Sequence, residues 1–151
     1  MCYVWSAVIE LVDEFDEIRV LRFTETAPAQ VIADLYVLHE KCNIDYKGSF
    51  VANLIAYSAL HKFLKARGED IYEWDDYAVM SKIDYHNVAY IYTVKLNGAI
   101  TLTVKEWMTE EGWKVIFEGT LEEAYEKFCR GTRYENGVHV NRQLFSIKSE
   151  E

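Results

Sequence analysis

The sequence predicts an α+β fold, a mainly antiparallel sheet with helices packed on one face. Three observations carry that expectation. Runs rich in β-branched and aromatic residues follow one another across turn-sized gaps at 88–96, 99–107 and 113–119, as in a meander. Apolar residues recur at intervals of three and four over 27–42 and 120–131, the period of a helix, and 50–67 is a longer run that is apolar nearly all round. Strands and helices do not alternate singly, so the crossover units of a parallel sheet are not expected. The predicted order is β-β-α-α-β-β-β-β-α-β.

The elements follow from local chemistry. Residues 3–12 (YVWSAVIELV) and 18–24 (IRVLRFT) read as two strands of a hairpin, with the acidic DEFDE at 13–17 as its loop. Over 27–42, Val31, Leu35, Leu38 and Cys42 form one apolar stripe. Thr26 suits the cap, and Pro28 is tolerated in the first turn. Residues 50–67 are apolar nearly all round after Ser49, so this helix is expected to be central and buried. Lys62, Lys65 and Arg67 suit its negative end, and Gly68 suits a left-handed terminator.

Residues 78–86 are read as a strand. Asn97-Gly98 tolerates positive φ at both turn positions and predicts a tight hairpin between 88–96 and 99–107. TEEG at 109–112 turns the chain into a further strand, 113–119. Thr120 and Glu123 have the spacing of a capping box, which opens a helix over 120–131 closed by Gly131. Residues 138–147 alternate and read as the last strand, with Val138, Val140 and Leu144 toward the core.

Length and composition bound the function. A chain of 151 residues is expected to form one domain over 1–151, with 148–151 as a frayed acidic tail. At this size a core forms without metal or disulfide. Acidic residues number 25 and basic residues 16, a formal net charge of −9. That balance opposes direct nucleic-acid binding and attachment to anionic membranes, both of which need a basic surface. Cys2, Cys42 and Cys129 are sparse and hold no CxxC pair, so a reducing cytoplasm is expected. The N-terminal apolar run is too short for a bilayer and lacks a basic lead.

Charge is segregated along the chain. Residues 69–76 hold five carboxylates and no base, with Ile71, Tyr72 and Trp74 among them. Glu69, Asp70, Tyr72, Glu73, Trp74, Asp75 and Asp76 are therefore the expected partner-binding set. Carboxylates supply a steering field, and Tyr and Trp are favoured interface anchors. A solvated loop with Ile71 and Trp74 turned inward is the plain alternative.

Other constellations are weaker. His39 and Cys42 share a helix face, but no second pair completes a metal site. His86 beside Asp84 has no accompanying nucleophile motif, so no catalytic set is assigned. His139, Asn141 and Gln143 share one strand face, a row that suits a polar pocket wall but is more often simply the wet face of an antiparallel sheet. No phosphate-binding glycine motif occurs, and no cofactor or metal is expected.

Three functions follow as expectations. The first is an acidic protein-binding module acting on another, basic protein that handles nucleic acid. Such a module would be an inhibitor, an immunity or anti-defence protein, or a DNA mimic, of the kind small acidic proteins of mobile elements supply. The second is a small-molecule binder or enzyme with a pocket between helix 50–67 and the sheet, lined by His86, Tyr90, Tyr92, His139 and Asn141. The third is a homo-oligomeric structural subunit.

Overall fold

The computed structural model describes residues 5–23, 28–42, 47–68, 77–96, 99–129, 132–135 and 138–141. The Asn97-Gly98 turn, the acidic segment 69–76, Gly131 and the tail lie outside them.

Strands β1 (Ser6–Val12) and β2 (Glu17–Arg22) form the expected antiparallel hairpin. Its acidic loop is shaped by Asp13, whose carboxylate accepts the Phe15 N–H at 2.9 Å and the Asp16 N–H at 3.2 Å. Helices α1 (Pro28–Cys42) and α2 (Lys47–Ala66) follow, then the short β3 (Tyr77–Val79), β4 (Val88–Lys95), β5 (Thr101–Met108), β6 (Gly112–Thr120) and α3 (Leu121–Phe128). The chain closes on β7 (Thr132–Glu135) and β8 (Val138–Asn141).

The architecture is α+β. Six strands form one sheet in the order β3-β2-β1-β4-β5-β6, and β7 and β8 form a separate antiparallel pair. All neighbours in the larger sheet are antiparallel except β1 and β4, which run parallel at its centre. The parallel pair arises because the β1–β2 hairpin receives β3 on one edge and β4 on the other. Residues 80–87 carry the chain back from β3 to β4 beneath β2 and β1, a displacement of three ladder spacings, roughly 14 Å. This crossover replaces most of the strand expected over 78–86. Of the last strand expected at 138–147, residues 138–141 form β8, paired with β7 outside the main sheet, and 142–147 lie outside the described residues.

One face of the sheet carries the main core. Ile9, Leu11, Val20, Tyr92, Val94, Leu102 and Val104 pack against Val31, Ile32, Leu35 and Leu38 of α1, Phe50 and Leu54 of α2, and Leu121 and Ala124 of α3. The central helix is α1, flanked by α2 and α3. It buries almost every described side chain from Val31 to Leu38, whereas α2 leaves Ile55, Leu60 and Phe63 exposed. The expectation of a fully buried 50–67 helix is thereby corrected. Composition shows that a helix is apolar all round, but neighbours decide how many of its sides are covered.

The capping box of α3 is complete, with Thr120 Oγ1 accepting the Glu123 N–H and Glu123 Oε1 accepting the Thr120 N–H. Gly68 follows α2 at φ +93°, the left-handed terminator expected of it. A buried polar cluster ties the sheet edge to α1. Arg22 donates to the Tyr77 hydroxyl at 3.2 Å, and that hydroxyl donates to Asp34 at 2.6 Å.

A second, smaller cluster lies on the opposite face. Val8, Val88 and Ile91 are buried there against Leu21, Ile83, Tyr85 and Trp113. The 80–87 crossover supplies Ile83 and Tyr85, so β1 is covered on both sides. This accounts for the nearly continuous apolar character of its sequence.

Candidate functional site: an aromatic cleft between two bulges

The side of the sheet away from the helices holds a cleft of about 400 Å³ lined by Tyr85, His86, Val88, Trp107 and Trp113. Two register shifts place its walls. In the β1–β4 ladder Ser6 faces Val88 but Ala7 faces Tyr90, so Ala89 is an extra residue. In the β5–β6 ladder Val104 faces Phe117 but Lys105 faces Val115, so Ile116 is extra. Each bulge reverses the alternation beyond it. Val88 would otherwise share the helix-covered face with Tyr90 and Tyr92, and Trp113 would share it with Phe117. The bulges turn both to the other side, where Trp113 stands directly opposite Trp107.

The two indoles meet at 67°, with centroids 5.4 Å apart, and so form a corner rather than a stack. Trp107 remains 45% exposed. Gly112, at φ +76°, opens β6 in the left-handed region that favours glycine.

The other wall is a short 3₁₀ turn, Tyr85–Asn87. Asp84 caps it by accepting the His86 N–H at 3.0 Å, and Ser6 Oγ holds its end by donating to the Asn87 carbonyl at 3.1 Å. The Tyr85 hydroxyl lies 3.5 Å from Glu10, whose other oxygen accepts from Thr93 at 3.0 Å. Burial first, and the Glu10 carboxylate second, push the Tyr85 phenol above its ordinary value, so it stays a neutral donor. His86 lines the cleft and is exposed. None of the five lining residues is a carboxylate or a cation with a fixed charge. Acids stand on the adjoining segments: Asp84 before the turn, and Glu110 and Glu111 in the loop between the two tryptophans.

The residues singled out in the sequence divide among several places. His86 lies in the cleft. Tyr90 and Tyr92 lie on the helix-covered face. Tyr92 is fully buried in the core, and Tyr90 donates to Glu106 at 3.2 Å. They and His86 therefore do not line one pocket, because the Ala89 bulge separates their faces. His139 and Asn141 fall on β8, which lies beside α1. Glu69, Asp70, Tyr72, Glu73, Trp74, Asp75 and Asp76 lie outside the described residues, in the connection between α2 and β3.

His39 Nε2 is 3.5 Å from Glu122, across the α1–α3 contact where Tyr36 and Tyr125 stack. Among the described residues, no cluster of three or more His, Cys, Asp or Glu is placed to hold a metal ion. Cys129 ends α3, buried, and its thiol donates to the Ala29 carbonyl at 3.3 Å. Burial, and secondarily Asp34, push that thiol up to about 12, so it is packing rather than a nucleophile.

Tyr85, Val88, Trp107 and Trp113 escaped the sequence reading as pocket residues. One signal for the tryptophans was available. Trp107 alternates out of phase with Leu102 and Val104, and it mirrors Trp113 across the 109–112 turn.

A second apolar surface is the outer face of α2, where Ile55, Leu60 and Phe63 are exposed beside Ala52, Ala56 and Ala59. No described helix is long and apolar enough to cross a membrane. The molecule is thus an α+β chain whose sheet carries helices on one side and an aromatic cleft on the other. No protein-family model, curated protein or solved structure matches it.

Proposed function

We propose that this chain is a protein-binding module whose partner is a basic protein. The observation that carries the reading is the aromatic cleft, which lies on the sheet face opposite the helices in a chain of net charge −9. Tryptophan and tyrosine supply contact area at low entropic cost, and a half-exposed indole is an unused anchor. Surplus carboxylates steer a cationic partner toward them. The acidic segment 69–76, with Tyr72 and Trp74, adds field and further aromatic area in the same sense. A basic protein that handles nucleic acid fits this charge best, and occupying its phosphate-binding surface makes the module an inhibitor, immunity or anti-defence protein of the DNA-mimic kind.

A second reading, a small-ligand site, draws on the cleft volume, which falls in the range of ligand pockets. Affinity capture from cell extract separates the two. The module reading expects retained proteins to be strongly basic and to elute as salt is raised. A retained set with no basic bias, or retention indifferent to salt, would overturn it.

A further inference from the structure

We infer that the cleft receives an arginine side chain of that basic partner, its guanidinium lying against the indoles of Trp107 and Trp113. This deepens the module reading and rests on it.

The chemistry of the walls selects the occupant. An indole face carries negative quadrupole potential and attracts cations more strongly than a phenyl or phenol face. Two indoles inclined at 67° bound a corner in which one planar group contacts both. The buried Val88 forms the floor and suits an aliphatic stem. Tyr85 contributes a third ring, held as the neutral phenol by burial.

Among the described residues, no carboxylate lines the cleft. That distinguishes the two basic side chains. Ammonium is compact and strongly hydrated, so it would stay with the flanking carboxylates in water rather than give up its hydration against the rings. Guanidinium is flat and weakly hydrated, stacks on aromatic planes, and keeps edge N–H groups free for acceptors at the border. Exposed carboxylates stand on the segments that flank the cleft, Asp84 before the turn and Glu110 and Glu111 in the loop, although Asp84 already accepts the His86 N–H at 3.0 Å and Glu111 lies 3.6 Å from Lys114. A neutral apolar side chain would fill the volume but would gain nothing from ring potential or from the −9 charge. The two bulges bear on the same point. They remove Val88 and Trp113 from the helix-covered core to build this corner, an arrangement that packing of the main core does not require.

The test uses the intact protein and three capped tripeptides, Gly-Arg-Gly, Gly-Lys-Gly and Gly-citrulline-Gly, followed by the indole N–H signals in a two-dimensional NMR titration. Citrulline preserves the shape of arginine and removes its charge. The arginine peptide is expected to shift the Trp107 and Trp113 signals, with citrulline about tenfold weaker and lysine intermediate. Trp107→Ala should abolish the Trp113 shift while the remaining spectrum stays dispersed. Should that variant lose dispersion, Trp107→Leu, which keeps apolar volume but no ring face, takes its place and is expected to lose arginine selectivity.

Equal binding of citrulline and arginine, or shifts confined to other tryptophans, overturns the inference. If the arginine peptide fails while capture from extract still returns basic proteins in a salt-dependent way, the cleft assignment falls and the module reading stands. If both fail, both fall.

Discussion

Single side chains show how this protein separates packing from chemistry. Cys129 combines a nucleophilic atom with an environment that silences it. Its thiol is held neutral by burial and by Asp34, with its ordinary value of 9.0 raised to about 12. Native protein at pH 8 should therefore resist iodoacetamide at Cys129, read by peptide mapping, and should react there once unfolded in urea. Labelling of Cys129 at the unfolded rate in native buffer would contradict this.

The same shift sets a pH dependence. Below the ordinary value both states hold the proton, and the contribution to stability is complete. Between 9.0 and about 12 the unfolded chain loses the proton and the folded chain keeps it, so stability falls as pH rises through that window. Tyr77, raised well above 10.0 chiefly by burial, acts in the same direction at higher pH. Urea midpoints should decline from pH 9 upward, and less steeply for Cys129→Ala. Tyr77 also links Arg22 to Asp34 through one buried hydroxyl. Tyr77→Phe deletes that bridge and is expected to cost about 1–3 kcal/mol in urea unfolding.

At the scale of elements, the two long helices are unequal although their sequences are similarly apolar. α1 lies between two other helices over the middle of the sheet, and α2 lies over its β2–β3 edge. Leu54 is fully buried on the inner side of α2, and Phe63, at 58% exposure, is on its outer side. Leu54→Ala is expected to lower stability by about 2–5 kcal/mol, because the tight core cannot close the void. Phe63→Ala should move it by less than ~0.5 kcal/mol, since little packing is lost at an open face. Equal losses in denaturant titrations would mean that something covers α2 in solution. A second copy of the chain would show in sedimentation at the same concentration. The strands show the same dependence on neighbours. β6 has alternation enough for either face, and one extra residue, Ile116, decides which side receives Trp113.

For the whole molecule, the two kinds of binding determinant should separate kinetically. Carboxylates act over about a Debye length, ~8 Å at physiological salt, and raise the encounter rate, whereas buried aromatic contacts lengthen the complex. With a basic protein returned by capture, Glu73→Gln/Asp75→Asn/Asp76→Asn should slow association at low salt, with the deficit shrinking as salt is raised. Trp107→Ala should instead speed dissociation with little dependence on salt. Surface-plasmon traces at two ionic strengths distinguish these outcomes. An unchanged association rate for the triple variant at low salt would remove 69–76 from the interface.

Much of this fold was legible residue by residue. Apolar patterning located the three helices to within a few positions, with Thr120 marking the start of α3, whereas α2 opens at Lys47, ahead of the cap expected at Ser49; runs rich in β-branched and aromatic residues located β1, β2, β4, β5 and β6. Gly68 and the Thr120–Glu123 pair marked helix boundaries because backbone φ and orphan N–H groups are local properties that side chains answer locally. Net charge was equally plain, being a sum over residues. The parallel β1–β4 pair, the central place of α1 and the cleft were not legible. Each depends on contacts between segments far apart in sequence: Ser6 with Val88, Leu38 with the sheet residues of the main core, Tyr85 and Trp113 with the cluster of Val8, Val88 and Ile91. His86 was noticed as a titratable group, but its companions in the cleft were fixed by two bulges. A bulge leaves composition unchanged while reversing every side chain beyond it. Sequence alone thus determined the three helices, the strands β1, β2, β4, β5 and β6, and the charge the chain carries. Tertiary pairing decided which faces meet, because register is settled by the partner strand and not by the strand itself.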